Sequence, residues 1–490
     1  MNKSRQIYNL GLACVLPLLL AGCREKDLSN TTVPWLDPRV ETQLKEFFAV
    51  NERHAQKLAE VDKAFYADYS PKPELLTKGL APEVWPYFEA GKNGDWEKAT
   101  ALYRQMAARA YHFANPEIDE RLTSTVWQPI NETFRAYEQV SAADSKYLLI
   151  YVQGIIDSLP PGSVFFAGTD AGRFAVTFLA NPRPAGDQFF IISQNGLADG
   201  LYLAYLRSLY GERIHILTQD DSQKAFQDYL TGAQRRLETN RLKPGESVEI
   251  VDGRIQASGP MAVMGINGLL TKTLIEKNPD LQFFLDEAAP MDWTYNYLVP
   301  RGFICEISRE PLADLSEDLV ERDREFWTRY VSQLLGDWLT DETSVEEILD
   351  FAEKVYLNKD LTGFKGDPRF VKTARPWREV TDFTGASTVF SKSRANIAGL
   401  YAWYAQTAAS PGEKGRMIKE ADLAFRQALA LCPYQTDTVQ RYLSFLSQQQ
   451  RFDEVILVAR VAEKFHRRNE EFSKFLNQVA ELTETQTKAK

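Results

Sequence analysis

Side chains able to hold a ligand or move a proton recur in this 490-residue chain where short polar stretches follow apolar runs. Gly168-Thr169-Asp170-Ala171-Gly172-Arg173 is the first such stretch, and Ser193-Gln194-Asn195-Gly196 with Asp199 is the second. Thr218-Gln219-Asp220-Asp221-Ser222 follows, and then Asp286-Glu287 with Asp292 and Trp293. Open parallel sheets bind ligands outside the carboxyl ends of their strands, where loops meet helix starts. Asp170, Arg173, Asn195, Asp199, Asp220, Glu287 and Asp292 are therefore the candidate ligand crevice, its carboxylates, amide and guanidinium suited to a hydroxyl-rich ligand or a cation. A second explanation stands beside it: Asp, Asn, Ser and Thr at helix starts satisfy free backbone N–H groups and favour the positive end of the helix dipole.

Motifs that carry catalysis by themselves are missing from the sequence. It has no nucleophile elbow, phosphate loop, paired-His zinc helix or dinucleotide glycine fingerprint. His54, His112, His215 and His466 are scattered without metal-ligand spacing. No catalytic residue, metal or cofactor is assigned. A carboxylate pair for glycoside hydrolysis is defined by its separation, which a sequence does not give.

The elements that must position these loops read as α/β plus all-α. Residues 37–143 are helical, with Leu44, Phe47, Phe48, Leu58, Val61 and Phe65 at helical spacing and breaks at Ser70-Pro71-Lys72-Pro73 and near Pro86. Over 144–312, Val164 to Ala167, Phe189 to Ile192 and Arg213 to Leu217 are short apolar runs, each leading into a helical pattern. That alternation implies a central, mostly parallel sheet with flanking helices. Val248 to Ala257 reads as a hairpin turning at Asp252-Gly253, with further strands at Gln282 to Leu285 and Gly302 to Ile307. Residues 313–396 are helical, with a capping box at Ser344 and Glu347. The Gly- and Lys-rich loop Gly363 to Pro368 could cradle an anion, but a turn is the commoner explanation, since no strand precedes it as a phosphate loop requires.

From 397 to 482 the helices look paired, ahead of a polar tail at 483–490. Ala421, Ala424, Phe425, Ala428, Leu429, Tyr442, Leu446 and Ala459 resemble the small-large-small spacing of tetratricopeptide repeats, and Gly94 to Tyr103 carries a weaker match. Aromatic groups such as Trp85-Pro86-Tyr87-Phe88, Trp293 to Tyr297 and Tyr401 to Tyr404 fit core spacing.

At the start, Lys3 and Arg5 precede the apolar stretch Leu10 to Leu20, so residues 1–22 read as an export signal. Leu20-Ala21-Gly22-Cys23 resembles the lipobox of bacterial lipoproteins, which implies cleavage before Cys23 and a diacylglycerol on its thiol. Residues 23–36 then form a polar tether. Arg24 is not Asp, and by resemblance to sorted lipoproteins this implies the outer membrane, facing the periplasm. Two or three acyl chains hold a protein on a bilayer where one is marginal.

The formal net charge is −10, and loss of Lys3 and Arg5 with the signal takes it to −12, which disfavours nucleic acid as a partner. Hydrophobic residues at 44% and charged ones at 25% describe a chain that folds in water. Past Cys23 only Cys305 and Cys432 remain, either two buried thiols or one disulfide.

Leu159-Pro160-Pro161-Gly162-Ser163-Val164-Phe165-Phe166 with Gly168-Thr169-Asp170, Gln194-Asn195 with Ala198-Asp199, and Pro290-Met291-Asp292-Trp293 carry a further resemblance. Leu159 to about Trp403 resembles the soluble portion of an uncharacterised bacterial membrane-protein family related to protein O-mannosyltransferases; the stretch Gly363 to Phe370 belongs to the same pattern. It implies an α/β domain fused to helical repeats on the far side of a membrane. The likeness does not reach the family's membrane-spanning part, so transferase activity is not carried over. The expected function is a membrane-anchored envelope lipoprotein acting as a protein-binding or assembly module through its repeats. The alternatives are an envelope enzyme or a solute-binding protein that takes a glycan or glycoconjugate in the α/β crevice.

Overall fold

In the computed structural model of the chain the described residues are 37–69, 79–110, 119–122, 124–141, 145–168, 171–180, 189–243, 246–251, 254–286, 291–373, 385–466 and 469–488. Cys23 with the whole of 1–36, the Ser70 to Pro73 break, His112, Asp170, the Asp252-Gly253 turn and Glu287 lie outside them. The chain divides into two compact units, Met1–Ala142 with Leu159–Phe283 and Ala143–Ser158 with Phe284–Lys490. The expected helical region 37–143 thus groups with much of 144–312, and 313–396 groups with 397–482.

Among its described residues unit one starts with the helices α1 (Pro38–Tyr69), α2 (Val84–Asn93), α3 (Trp96–Ala110) and α4 (Trp127–Val140). Leu44, Phe47, Phe48, Ala55 and Leu58 form the buried stripe of α1, which packs on α2 and α4. Gly94, at φ 75°, closes α2 in the left-handed region, and α3 folds back as a helical hairpin. Tyr103 of α3 stacks on Phe134 of α4, and Tyr87 of α2 hydrogen-bonds Thr133 at 2.8 Å, so Tyr87 and Phe88 are core as expected, whereas Trp85 is exposed on the outer face of α2.

The strands of unit one are β1 (Val164–Ala167) and β2 (Phe190–Ser193), parallel with Val164 opposite Phe190, and the ribbon of β3 (Ser247–Val251) and β4 (Arg254–Ser258). Between and after them come a π-helical turn Ala171–Ala175, α6 (Val176–Ala180), α7 (Gly200–Tyr210), α8 (Gln219–Glu238) and α9 (Pro260–Lys277); α5 (Ser145–Ser158) belongs to unit two. The hairpin has the expected register, Val248 opposite Ala257, and Val248 packs on Tyr229, Ala233 and Ala262. Arg213 to Leu217 differs from expectation, because no strand forms there. Asn278 occupies the backbone of His215 instead, accepting from its N–H at 2.8 Å and donating to its carbonyl at 3.0 Å, while Ile214, Ile216 and Leu217 stay buried.

The hydrogen-bonded order of the larger sheet is β2-β1-β5-β7-β6, with β5 (Phe283–Leu285), β6 (Leu298–Arg301) and β7 (Ile304–Ile307). This sheet is mixed where a mostly parallel one was expected: β6 and β7 are antiparallel, joined by the two-residue turn Gly302-Phe303 that only an antiparallel pair accommodates. Pro300 obscured β6 in the sequence and is tolerated because β6 is an edge strand.

Unit two continues with α10 (Glu317–Leu335), α11 (Val345–Phe351), α12 (Pro368–Thr373), α13 (Ala386–Thr407), α14 (Pro411–Leu431), α15 (Thr436–Gln448), α16 (Phe452–His466) and α17 (Glu470–Lys488). From α13 to α17 each helix packs on the next. The capping box of α11 is formed, Ser344 Oγ accepting from Glu347 N–H at 3.2 Å and the Glu347 carboxylate accepting from Ser344 N–H at 2.7 Å. Phe303 is the aromatic hub, its ring against Tyr151, Phe326, Trp327, Tyr330 and Phe390. The Gly363 to Pro368 loop lies on the end of α10: Asp367 N–H bonds Leu334 O, and a Cβ on Gly366 would stand 2.5 Å from that oxygen. Cys305 and Cys432 are buried free thiols. No helix of the described residues is long and apolar enough to cross a membrane.

Candidate functional site

Unit one holds a cavity of about 330 Å³ walled by α1, α4, α6, β2 and α7. Its floor is Glu132, a carboxylate on the buried face of α4 between Ile130 and Phe134. The Tyr205 hydroxyl donates to Glu132 Oε2 at 2.6 Å, and Arg173 Nη2 stands 3.8 Å from Oε1. Arg173 also donates to Gln128 at 3.1 Å and lies over the Tyr202 ring at 5.1 Å. Burial raises the Glu132 carboxyl above the usual range, against the lowering by Arg173 and Tyr205.

The edge strand β2 forms another wall, and two tyrosines of α7 deal with its unpaired backbone. Tyr210 accepts from Ile191 N–H at 2.9 Å and donates to Ile191 O at 2.9 Å, while Tyr202 accepts from Ser193 N–H at 2.7 Å. Burial pushes the Tyr202 hydroxyl up to about 12. From α1, Asn51, Arg53, His54 and Lys57 line the cavity, with the His54 ring 5.3 Å from that of Tyr205. Ser208 and Thr177 add hydroxyls, and Phe189 and Ile191 add apolar surface.

The residues expected from the sequence take several positions. Arg173 is behind the floor, holding Glu132. Asp199 caps α7, accepting from Leu201 N–H at 2.9 Å; burial raises its carboxyl, while first-turn amides and Arg173 lower it. Asn195 offers its carbonyl to Asn267 at 3.3 Å, and Asn267 accepts from Ala198 N–H at 2.9 Å, so the loop is tied to α9. Asp220 is exposed in the first turn of α8, whose capping box is Thr218 with Asp221. Arg173 and Asp199 are thus brought together at the carboxyl end of the parallel pair, but the cavity opens beside β2 rather than beyond its end. Asp170 and Glu287 lie outside the described residues, and Asp292 starts a 3-10 turn of unit two, Asp292–Tyr297.

Glu132 and His54 were missed by sequence reasoning. The buried residues of α4 include Trp127, Pro129, Ile130, Glu132, Thr133 and Phe134, too broad a set for one charged residue to interrupt a stripe. A smaller cavity of about 230 Å³ in unit two is lined by Asp323, Arg301 and Arg322 among others. Its one buried carboxylate, Asp323, is already engaged by Arg394 and Tyr401, each at 2.7 Å. Among the described residues no group of three or more His, Cys, Asp and Glu gathers to hold a metal ion.

No protein-family model matches the chain, and neither curated proteins nor solved structures yield a match.

Proposed function

We propose that the protein is a binding protein of the bacterial cell envelope, tethered through a lipidated Cys23, that holds a small hydroxyl-rich ligand in the cavity of unit one. The observation that carries this is Glu132, a carboxylate kept at the floor of an open cavity between Tyr205 and Arg173. Burying a carboxylate is costly even when paired, and sites that bind or react are where such groups are retained. Around it stand aromatic faces and a few polar groups, the composition of small-molecule sites. The support for the tether is the Leu20-Ala21-Gly22-Cys23 run.

A ligand bound at a hundred times its Kd stabilises the folded chain by about 2.7 kcal/mol. A screen of monosaccharides and their glycosides by thermal unfolding is expected to raise the midpoint of the wild type and not of Ser208→Trp, which fills the cavity from its exposed wall. Equal shifts in both proteins would place the ligand elsewhere and end the proposal.

The tetratricopeptide-like character of 397–482 gives a second reading, docking of a protein partner. It is favoured by the five consecutive helices α13 to α17 and by Leu457 and Phe475, large apolar side chains exposed on α16 and α17. Pulldown from envelope extract is expected to lose a partner with Leu457→Asp/Phe475→Asp; a partner set identical to the wild type's would remove this second role.

A further inference from the structure

We infer that the cavity's ligand carries a negative group, a carboxylate or a phosphate, on its hydroxyl-bearing body; this rests on the cavity being the binding site. Arg53 and Lys57 lie four residues apart on α1, one turn along the same face, and both line the cavity. Neither makes an ion pair or hydrogen bond with another described residue. Two neighbouring cations are paired: Lys45 of α1 with Glu41 at 2.8 Å, and Lys92 of α2 with Glu52 at 2.7 Å. Arg53 and Lys57 thus reach the cavity with no carboxylate partner among the described residues.

Among the described residues that line the cavity the only carboxylate is Glu132. Arg173 stands behind it at 3.8 Å, so the charge of this carboxylate is met from behind the floor rather than by Arg53 or Lys57. A chain with a formal net charge of −10 thus presents a locally cationic cavity. Arg53 offers a planar fork that matches a carboxylate or phosphate edge, and Lys57 a point charge beside it. The remaining wall suits the body of such a ligand. Ser208 has a hydroxyl with no partner among the described residues, Thr177 donates to Arg173 O and keeps its lone pairs, and Tyr205 and Phe189 supply ring faces. A sugar acid or a sugar phosphate combines these features.

The experiment is isothermal titration of the purified full chain at low and high salt. The probes are D-glucuronate, D-galacturonate, glucose 6-phosphate and galactose 6-phosphate, set against glucose and galactose. At least one anion is expected to bind tenfold or more tightly than its neutral parent, with the advantage shrinking as salt rises. Arg53→Gln/Lys57→Gln is expected to erase that advantage while keeping the unliganded melting temperature, since both side chains are exposed. The preference of uronate over phosphate, or the reverse, identifies which source of charge is recognised. A neutral sugar binding as tightly as its anion, or a double variant that keeps the preference, overturns the inference and leaves the cavity as a sugar site. Absence of binding by all six probes overturns both.

Discussion

Removing Arg173 tests the floor of the cavity through its pH dependence. Glu132 is buried, and its carboxyl is raised above the unfolded value of about 4.3. A raised carboxyl contributes stability below the unfolded pKa and loses it as pH rises through the folded one, because the native state holds a proton that the unfolded chain has released. Arg173, 3.8 Å from Oε1, limits that loss by favouring the ionised form. In Arg173→Met the native state keeps the proton to higher pH, and stability falls by up to about 1.4 kcal/mol per pH unit for that single proton. Between pH 5 and pH 7 this amounts to at most about 2.7 kcal/mol. Arg173→Met/Glu132→Gln lacks the titrating group while its amide still accepts from Tyr205, so it has no such slope. Asp199 also feels Arg173, but it is present in both proteins and its contribution cancels in the difference. Urea unfolding at pH 5, 6 and 7 reads the effect directly. If the single and double variants show parallel pH profiles, Glu132 does not titrate against Arg173 and the electrostatic description of the floor is wrong.

Three further outcomes follow from the packing. Tyr210→Phe removes both bonds to Ile191 and leaves a partly buried N–H on the edge strand, a loss of about 1–3 kcal/mol seen by denaturation together with faster hydrogen exchange at Ile191; unchanged exchange there would mean that water replaces the hydroxyl freely. Arg394→Met strands Asp323, whose side chain is 1% exposed, and is expected to cost about 3–5 kcal/mol, with Asp323→Asn in the same chain recovering much of it; a double variant as unstable as the single would show that packing and not charge is at stake. Gly366→Ala sets a methyl group against the Leu334 and Leu335 backbone and is expected to cost about 1–3 kcal/mol by thermal unfolding, whereas a neutral result would show that the loop moves without penalty.

Features set by neighbours in sequence were legible in advance. The hairpin of Val248 to Ala257 follows from alternation around a two-residue turn, and the caps at Asp199, Thr218 and Ser344 from short polar residues ahead of helical runs. The helices of 397–482 follow from their periodicity, though α13 starts earlier, at Ala386. What depended on distant residues was hidden. The apolar run Arg213 to Leu217 looks like a strand until Asn278, 63 residues on, takes up its backbone groups. Glu132 becomes significant only when Tyr205 and Arg173 arrive from two other elements, and no local spacing announces that meeting. Of the expected crevice, Arg173 and Asp199 do come near each other, while the cavity is lined from α1, α4, α6, β2 and α7.

The binding role proposed for unit one requires that the space between α1 and α7 hold a ligand. A crystal of the protein soaked with the sugar that most raises its melting temperature tests it most directly. The expected density is a sugar ring seated between His54, Glu132 and Tyr205, with its charged group toward Arg53 and Lys57. Density for the sugar at another place, with only solvent against Glu132, would contradict it.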